Sequence, residues 1–324
     1  MRNLNIEGLR GVLILWIILF HYTTRYSELF NVSVSWEFEN GGVVGVALFF
    51  AISGFFLGKS LLEEEKVGLK QALKFSINKY WRLYTPYVIS VIIIYIITDL
   101  LFPLQGRECD TKSFVVNLFL IYHPFVGFVD GAHWFIADLI KIQISLSLLY
   151  LFRKSENRKV LIWVASVVLL TFVVANYYSD GNLFTRIYRF IGVKSFLSVL
   201  LGINLYLSFA KSNFYSIIIS ALIAIYLSLA IHIVLIPLCL FFFYCFISKN
   251  RVDFWLGKYG IFNNRVLLFL GSVSFQWYLV HQNIGFLILN HLGFPIGLIV
   301  ALGVTLSCAI CVKYFVHILP NKIY

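Results

Sequence analysis

Arg10 and His21 are residue types able to do anion and acid–base chemistry. Both stand inside a strongly apolar run, EGLRGVLILWIILFHYTTRY, eleven residues apart. At about 100° per residue, eleven helical steps return to within about 20° of the starting face, with a rise of about 16 Å. One helix face would then carry a cation near one membrane surface and an imidazole at mid-depth or beyond. Ionisable groups inside membrane spans are functional candidates by default. The spacing alone leaves an equal alternative, in which Arg10 snorkels to lipid phosphates and His21 hydrogen-bonds a neighbouring helix. Lys79 and Arg82, within KYWRLYTPY, form an i,i+3 pair on one helix face. With Arg10 they would make a cationic cluster suited to phosphate groups; the plainer reading is flanking charge beside a Trp/Tyr belt.

A second polar stack occurs in SFQWYLVHQNIGF, where His281, Gln282 and Asn283 are consecutive. Helical rise sets them about 22 Å from the inner end of their helix, at a depth like that of His21. Successive polar groups at that depth imply a cavity rather than lipid contact. GAHWFIADLIK sets His133 and Trp134 at the outer interface, with Asp138 and Lys141 spaced to neutralise each other. Ser53 lies in LFFAISGFFLG. As a nucleophile it would need a base beside it, and with Gly54 it reads better as a close-packing site. GGVVG at 41–45 reads the same way. The seven histidines show no i,i+4 pair and no Cys or carboxylate at ligand spacing, so no metal is expected. His317 has no assigned role, and the Glu63-Glu64-Glu65 run reads as a solvated loop.

The elements that position these residues follow from composition. Of 324 residues, 60% are hydrophobic and 13% charged, and the mean hydropathy is +0.87. A soluble domain carries about twice that charge. A helix crosses a bilayer with roughly 20 apolar residues. The apolar runs place about ten transmembrane helices at 9–27, 43–62, 82–101, 133–152, 159–178, 195–209, 213–230, 231–248, 266–290 and 295–317. The short run 113–126, ending in His123-Pro124, reads as a re-entrant or interfacial helix. Net charge is +11, but the basic residues lie between apolar runs, which argues against nucleic acid. With the N-terminus inside, 19 of the 26 Lys and Arg fall on inner segments and six on outer ones. That bias predicts an all-α integral membrane protein with both termini cytoplasmic. The five cysteines suggest no disulfide framework, and no cleavable signal peptide is evident.

Taken together, these segments resemble the acyltransferase-3 family of membrane acyltransferases, from Leu4 to about Phe315. Arg10 and His21 within EGLRGVLIL look like its first-helix signature, and LFFAISGFFL its second-helix motif. Lys79-Tyr80-Trp81-Arg82 is similar to its [RK]-x-x-R motif. HWFI at 133–136, VLLGINLYL at 199–207 and SFQWYLVHQ at 274–282 match later landmarks. The chain departs from the family pattern at YFVHILP, where His317 stands in place of a common Glu. The resemblance implies one membrane domain over 1–324, without a C-terminal extracytoplasmic domain, in a bacterial inner membrane. It also implies transfer of an acyl, usually acetyl, group from cytoplasmic acyl-CoA (acetyl-CoA) to a surface-glycan hydroxyl such as that of O-antigen, capsule or exopolysaccharide.

Under that resemblance Arg10, Lys79 and Arg82 would take the CoA phosphates. His21 would be general base or covalent acyl carrier, with Arg10 also at the catalytic helix face. Trp134, His281 and Gln282 would line the acceptor side. Two alternatives are acylation of a small molecule or lipid-linked sugar precursor, and a polytopic transporter or flippase. The latter predicts repeat symmetry and paired broken helices, which the sequence does not display. A structural subunit leaves the Arg10/His21 face unexplained.

Overall fold

In lipid every backbone N–H and C=O must find its partner internally, and a helix does this within one segment. The computed structural model describes residues 4–39, 41–65, 67–120, 127–178, 191–211, 213–231 and 264–318, and every regular element among them is helical. The elements are α1 (Leu4–Phe20), α2 (Tyr26–Phe30), α3 (Gly41–Glu63), α4 (Leu69–Tyr95), α5 (Thr111–Leu118), α6 (Trp134–Ser147), α7 (Ser155–Tyr178), α8 (Val193–Lys211), α9 (Phe214–Ala230), α10 (Arg265–Leu292) and α11 (Ile296–Ile318). Six stretches among the described residues are long and apolar enough to cross a membrane: Leu4–Phe30, Gly41–Glu63, Leu69–Leu101, Gly131–Leu151, Ser155–Asn176 and Ile296–Ile318. α8 and α9 are shorter apolar helices. α10, expected as a span over 266–290, has 28 residues but carries Ser272, Ser274, Gln276, His281, Gln282 and Asn283, which keep it out of that set. The expected span 231–248, with His232, and the His123-Pro124 end of 113–126 lie outside the described residues.

One boundary differs in a way that bears on function. The third span was expected from residue 82, but its helix begins at Leu69. Leu69, Leu73, Ile77 and Trp81 are exposed at i+4 spacing, with Lys70, Lys74 and Lys79 between them. An amphipathic helix does not register as an apolar run, so hydropathy locates only the later part. Lys79 and Arg82 therefore sit about three and three and a half turns into the helix. The run 113–126 contains the eight-residue helix α5, whose N-cap Asp110 accepts the Ser113 N–H at 2.5 Å. That bond holds the Asp110 carboxyl below its ordinary range.

The chain forms two compact units. The first comprises 1–45, 80–137 and 261–324. Here α1 packs on α10, and α10 on α11. Gly11 lies against the Leu267 carbonyl, and Gly271 against that of Glu7; a Cβ at either glycine would overlap backbone. Such small residues let helices approach where lipid gives no hydrophobic drive to associate. Gly41, Gly42 and Gly45 lie against Trp16, Phe20 and Ile17, so GGVVG is a packing motif. α11 buries Gly297, Ala301, Thr305, Ala309 and Val312 along one stripe. The Trp277 indole N–H donates to Thr305 at 3.0 Å.

The second unit comprises 46–79 and 138–260. Gly54 lies against the Val199 backbone and Gly202 against the Ala51 carbonyl, the packing role expected of Ser53-Gly54. Asp138 and Lys141 pair at 2.8 Å, and Asp138 also accepts the Ser195 hydroxyl at 2.8 Å. Arg158 is buried and donates to the Leu61 and Glu64 carbonyls at 2.5 and 3.2 Å. It thereby caps the end of α3.

Candidate active site

The site is built in the first unit, from α1 and α10. The α-helical pitch of α1 gives way at His21 to a π-helical segment, His21–Arg25. Wide turns of this kind occur frequently at functional sites. The segment buries Tyr22, Thr23 and Thr24 in succession, which a regular helix face would not. Tyr22 then donates its hydroxyl to the His281 carbonyl at 2.8 Å and lies 3.1 Å from the Thr305 hydroxyl. Gly285 makes room for the Tyr22 ring.

His21 and His281 meet, with ring centroids 4.9 Å apart and planes inclined by 63°. Phe20 and Phe286 pack around His21 at 5.2 and 6.4 Å. His281 is fully buried, with Nδ1 2.7 Å from the Tyr278 carbonyl. A carbonyl oxygen only accepts, so Nδ1 carries the proton and Nε2 the lone pair. That Nε2 has no hydrogen-bond partner, and neither has Nδ1 of His21. Gln282 is 3% exposed, and its Oε1 is likewise unpartnered. Leaving a buried polar atom unpaired costs about 1–3 kcal/mol. Such atoms occur elsewhere among the described residues too; what sets these apart is that two of them belong to imidazoles whose rings meet.

The third residue of the stack, Asn283, has a different role. Its N–H donates to Asp130 Oδ2 at 2.9 Å, and its side-chain amide to the Val129 carbonyl at 2.8 Å. Asp130 Oδ1 accepts the Ala132 N–H at 2.8 Å. His133 Nε2 contacts the Leu279 carbonyl at 3.0 Å, and the Tyr278 hydroxyl donates to the Ala132 carbonyl at 2.9 Å. The segment 129–133 thus engages both ends of the helical turn 279–283. Asp130 is the residue that sequence reasoning missed, and its signal was an Asp at the N-cap position directly before GAHW. Asp130→Ala should leave two buried N–H groups unmet, at about 1–3 kcal/mol each. Thermal melting in detergent should show that loss, with Asp130→Asn intermediate.

The remaining candidates lie on α1, α4 and α6. Arg10 lies on α1 with Glu7 at 3.7 Å. Arg82 is exposed in the first unit. Trp134 is 37% exposed, whereas its neighbour His133 is fully buried; at this landmark it is His133 that joins the polar cluster. Lys79 belongs to the second unit, its ammonium 5.2 Å from the centre of the Phe75 ring. There it lines a cleft of about 740 Å³ with Lys59, Lys74 and Glu63–Glu65. Among the described residues no His/Cys/Asp/Glu group is arranged to hold a metal ion.

Multiple apolar helices long enough to cross a bilayer describe a multi-pass membrane protein, with two imidazoles meeting between α10 and the π-helical segment that ends the α1 stretch. The chain belongs to the acyltransferase domain family (acyltransferase 3), whose profile matches residues 3–315. It is also similar to the peptidoglycan O-acetyltransferase OatA of Listeria monocytogenes, at 26% identity over 133 residues. That match covers 39% of this chain and 19% of the relative, so the chain spans only a minor part of that protein's length. No solved structure matches the chain.

Proposed function

We propose that this chain transfers an acetyl group from cytoplasmic acetyl-CoA to a hydroxyl of a bacterial surface glycan such as O-antigen, capsule or exopolysaccharide. It would act in the inner membrane, with about ten spans and both termini cytoplasmic, residues 1–324 serving as one membrane domain. The observation that carries this reading is the pair of unfilled nitrogens on His21 and His281, 4.9 Å between ring centres. The relative's name speaks of acetyl transfer to peptidoglycan, which favours acetyl and a surface polymer here.

In this reading the acceptor hydroxyl sits between the two imidazoles. Nε2 of His281, its tautomer held by Tyr278, accepts a hydrogen bond from a neighbouring hydroxyl of the sugar and so orients the reacting one toward His21. His21 takes the proton as the oxygen attacks the thioester carbonyl. The C–O bond forms, the C–S bond breaks, and His21 returns the proton to the departing thiolate. Gln282 and Trp134 belong to the acceptor side. Arg10, Lys79 and Arg82 serve the donor phosphates. The Lys79 cleft brings Lys59 and Lys74 alongside Glu63, Glu64 and Glu65, and Glu63 accepts the Tyr206 hydroxyl. The Phe75 and Tyr150 rings, 5.3 Å apart, offer an apolar wall.

NMR of surface glycan from cells with and without the gene tests the activity. O-acetyl signals should vanish without the gene and return with the wild-type chain. Arg82→Ala should restore them only partly, with a raised KM for acetyl-CoA in membranes. Identical acetylation in all strains rejects the reading. Orientation is tested in a cysteine-free background. Cysteine at Glu28, an exposed position, should react with an impermeant maleimide from outside. Cysteine at Lys70 should react only after permeabilisation, and the reverse pattern overturns the topology.

A further inference from the structure

Arg107 lies in the loop between the end of the α4 stretch and α5, and is one of the six cations expected on outer segments. In the structure it is half-buried against α10. Its Nη2 donates to Asn283 Oδ1 at 3.2 Å, and its guanidinium carbon is 5.9 Å from the centre of the Phe286 ring. Among the described residues it makes no ion pair. Asp130 acts on it through space, yet both Asp130 oxygens are committed to backbone N–H groups. Burial lowers the Arg107 pKa from its ordinary value, Asp130 opposes that, and Arg25 adds to it. A guanidinium does not deprotonate in proteins. It therefore persists as a partly desolvated cation, with donors left over after the one bond to Asn283.

Gln282 converges on the same spot. A Cβ built on Gly131 would lie 2.8 Å from Arg107 Nη2 and 3.1 Å from Gln282 Oε1. A glycine thus keeps open the space where these two side chains end, and the Gln282 amide oxygen is unpartnered there. The location is one aromatic ring from the imidazole pair. Phe286 lies 6.4 Å from the His21 ring and also beneath Arg107.

We propose that Arg107 and Gln282, over Gly131, bind an oxyanion carried by the acceptor, a sugar carboxylate or a glycosyl phosphate, and so select acidic acceptors. This rests on the acyltransferase reading of the site. The guanidinium matches the planar geometry of a carboxylate or the oxygens of a phosphate. The Gln282 amide N–H can donate a neutral hydrogen bond to the same oxyanion, while its unpartnered Oε1 accepts from a hydroxyl of the sugar that carries it. A purely structural Arg107, fastening its loop to α10 through Asn283, would influence stability but not the choice between charged and neutral ligands.

The test is direct binding to purified protein in nanodiscs with no acyl donor present. The probes are trigalacturonic acid, its carboxyl-reduced trisaccharide, glucose 1-phosphate and glucose. The wild type should bind at least one anionic probe about 10- to 100-fold more tightly than its neutral counterpart, the range set by one charged hydrogen-bonded contact. Arg107→Gln should erase that preference and Arg107→Lys should retain part of it. The uronate and phosphate arms identify which oxyanion is taken. Equal binding of charged and neutral probes by the wild type overturns the proposal, as does a preference that survives in Arg107→Gln. Should Arg107→Gln not fold, Gly131→Ala crowds the same two side chains and must weaken the preference instead; an unchanged preference there is equally fatal. Because no acyl donor is used, absence of glycan acetylation in cells would count against the proposed activity and leave this binding result intact.

Discussion

His21→Ala is expected to lower acyl transfer by about 10²–10⁴-fold, the usual range for loss of a positioned general base, with little change in melting temperature. Among the described residues no hydrogen bond joins the His21 ring to the fold, and its Nδ1 is unpartnered. What it removes is the imidazole 4.9 Å from His281 and the ring packed by Phe20 and Phe286. The assay is acetyl transfer in membranes at matched protein levels, together with a melting curve. His281→Asn is the informative companion. Asn can keep the donor toward the Tyr278 carbonyl and loses the Nε2 acceptor. Activity should fall while the helix turn survives. Undiminished transfer in His21→Ala, in well-inserted protein, removes His21 from the chemistry.

Gly271→Ala is expected to damage stability and activity together. The glycine faces the Glu7 carbonyl across the α1–α10 contact, and Gly11 faces the Leu267 carbonyl beside it. A methyl group there meets backbone, so the helices themselves must separate. Overpacking of this kind typically costs about 1–3 kcal/mol. The two helices carry His21 and His281, and a displacement of about 1 Å at reacting groups can cost about 10²-fold in rate. Gly303→Ala supplies the control, because a Cβ there has nothing within 4 Å. Melting and acetyl transfer should both fall in Gly271→Ala and hold in Gly303→Ala. Parallel behaviour of the two variants would mean that the close approach does not set the histidine pair.

The candidate site was legible in the sequence residue by residue, but not as an assembly. Arg10, His21, His281 and Gln282 stand out because polar groups inside apolar runs are costly. Nothing in their spacing says that His21 meets His281, since i,i+3 and i,i+4 geometry reaches only within one helix, as it does for Arg10 and Glu7. Asn283 looked like a third cavity residue, yet it serves Asp130 and Val129, 153 and 154 residues away in the chain. Trp134 drew attention as an interfacial aromatic, whereas the adjacent His133 is the buried one. The π-helical segment at His21–Arg25 left no trace in residue types, because a widened turn is imposed by what packs against it.

The early start of α4 at Leu69 shows the limit of hydropathy. An amphipathic stretch alternates its exposed apolar and basic residues, and their average conceals a helix that simply continues into the span. That extension set Lys79 within the Lys/Glu cleft of the second unit rather than at the mouth of a span.

What the sequence determined by itself is the solvent and the secondary structure. Long apolar runs with little charge belong in lipid, and in lipid the backbone satisfies itself as helix. It also carried the family, through motifs spread in order along the chain. The tertiary structure alone decided which helices are neighbours and hence which polar atoms remain unpaired. Lipid-facing and helix-facing apolar residues are alike in type, and lipid supplies no hydrophobic force to sort them. The sorting falls to glycines such as Gly11 and Gly271 and to long-range hydrogen bonds such as those of Tyr22 and Asp130, and these act only once the helices have met.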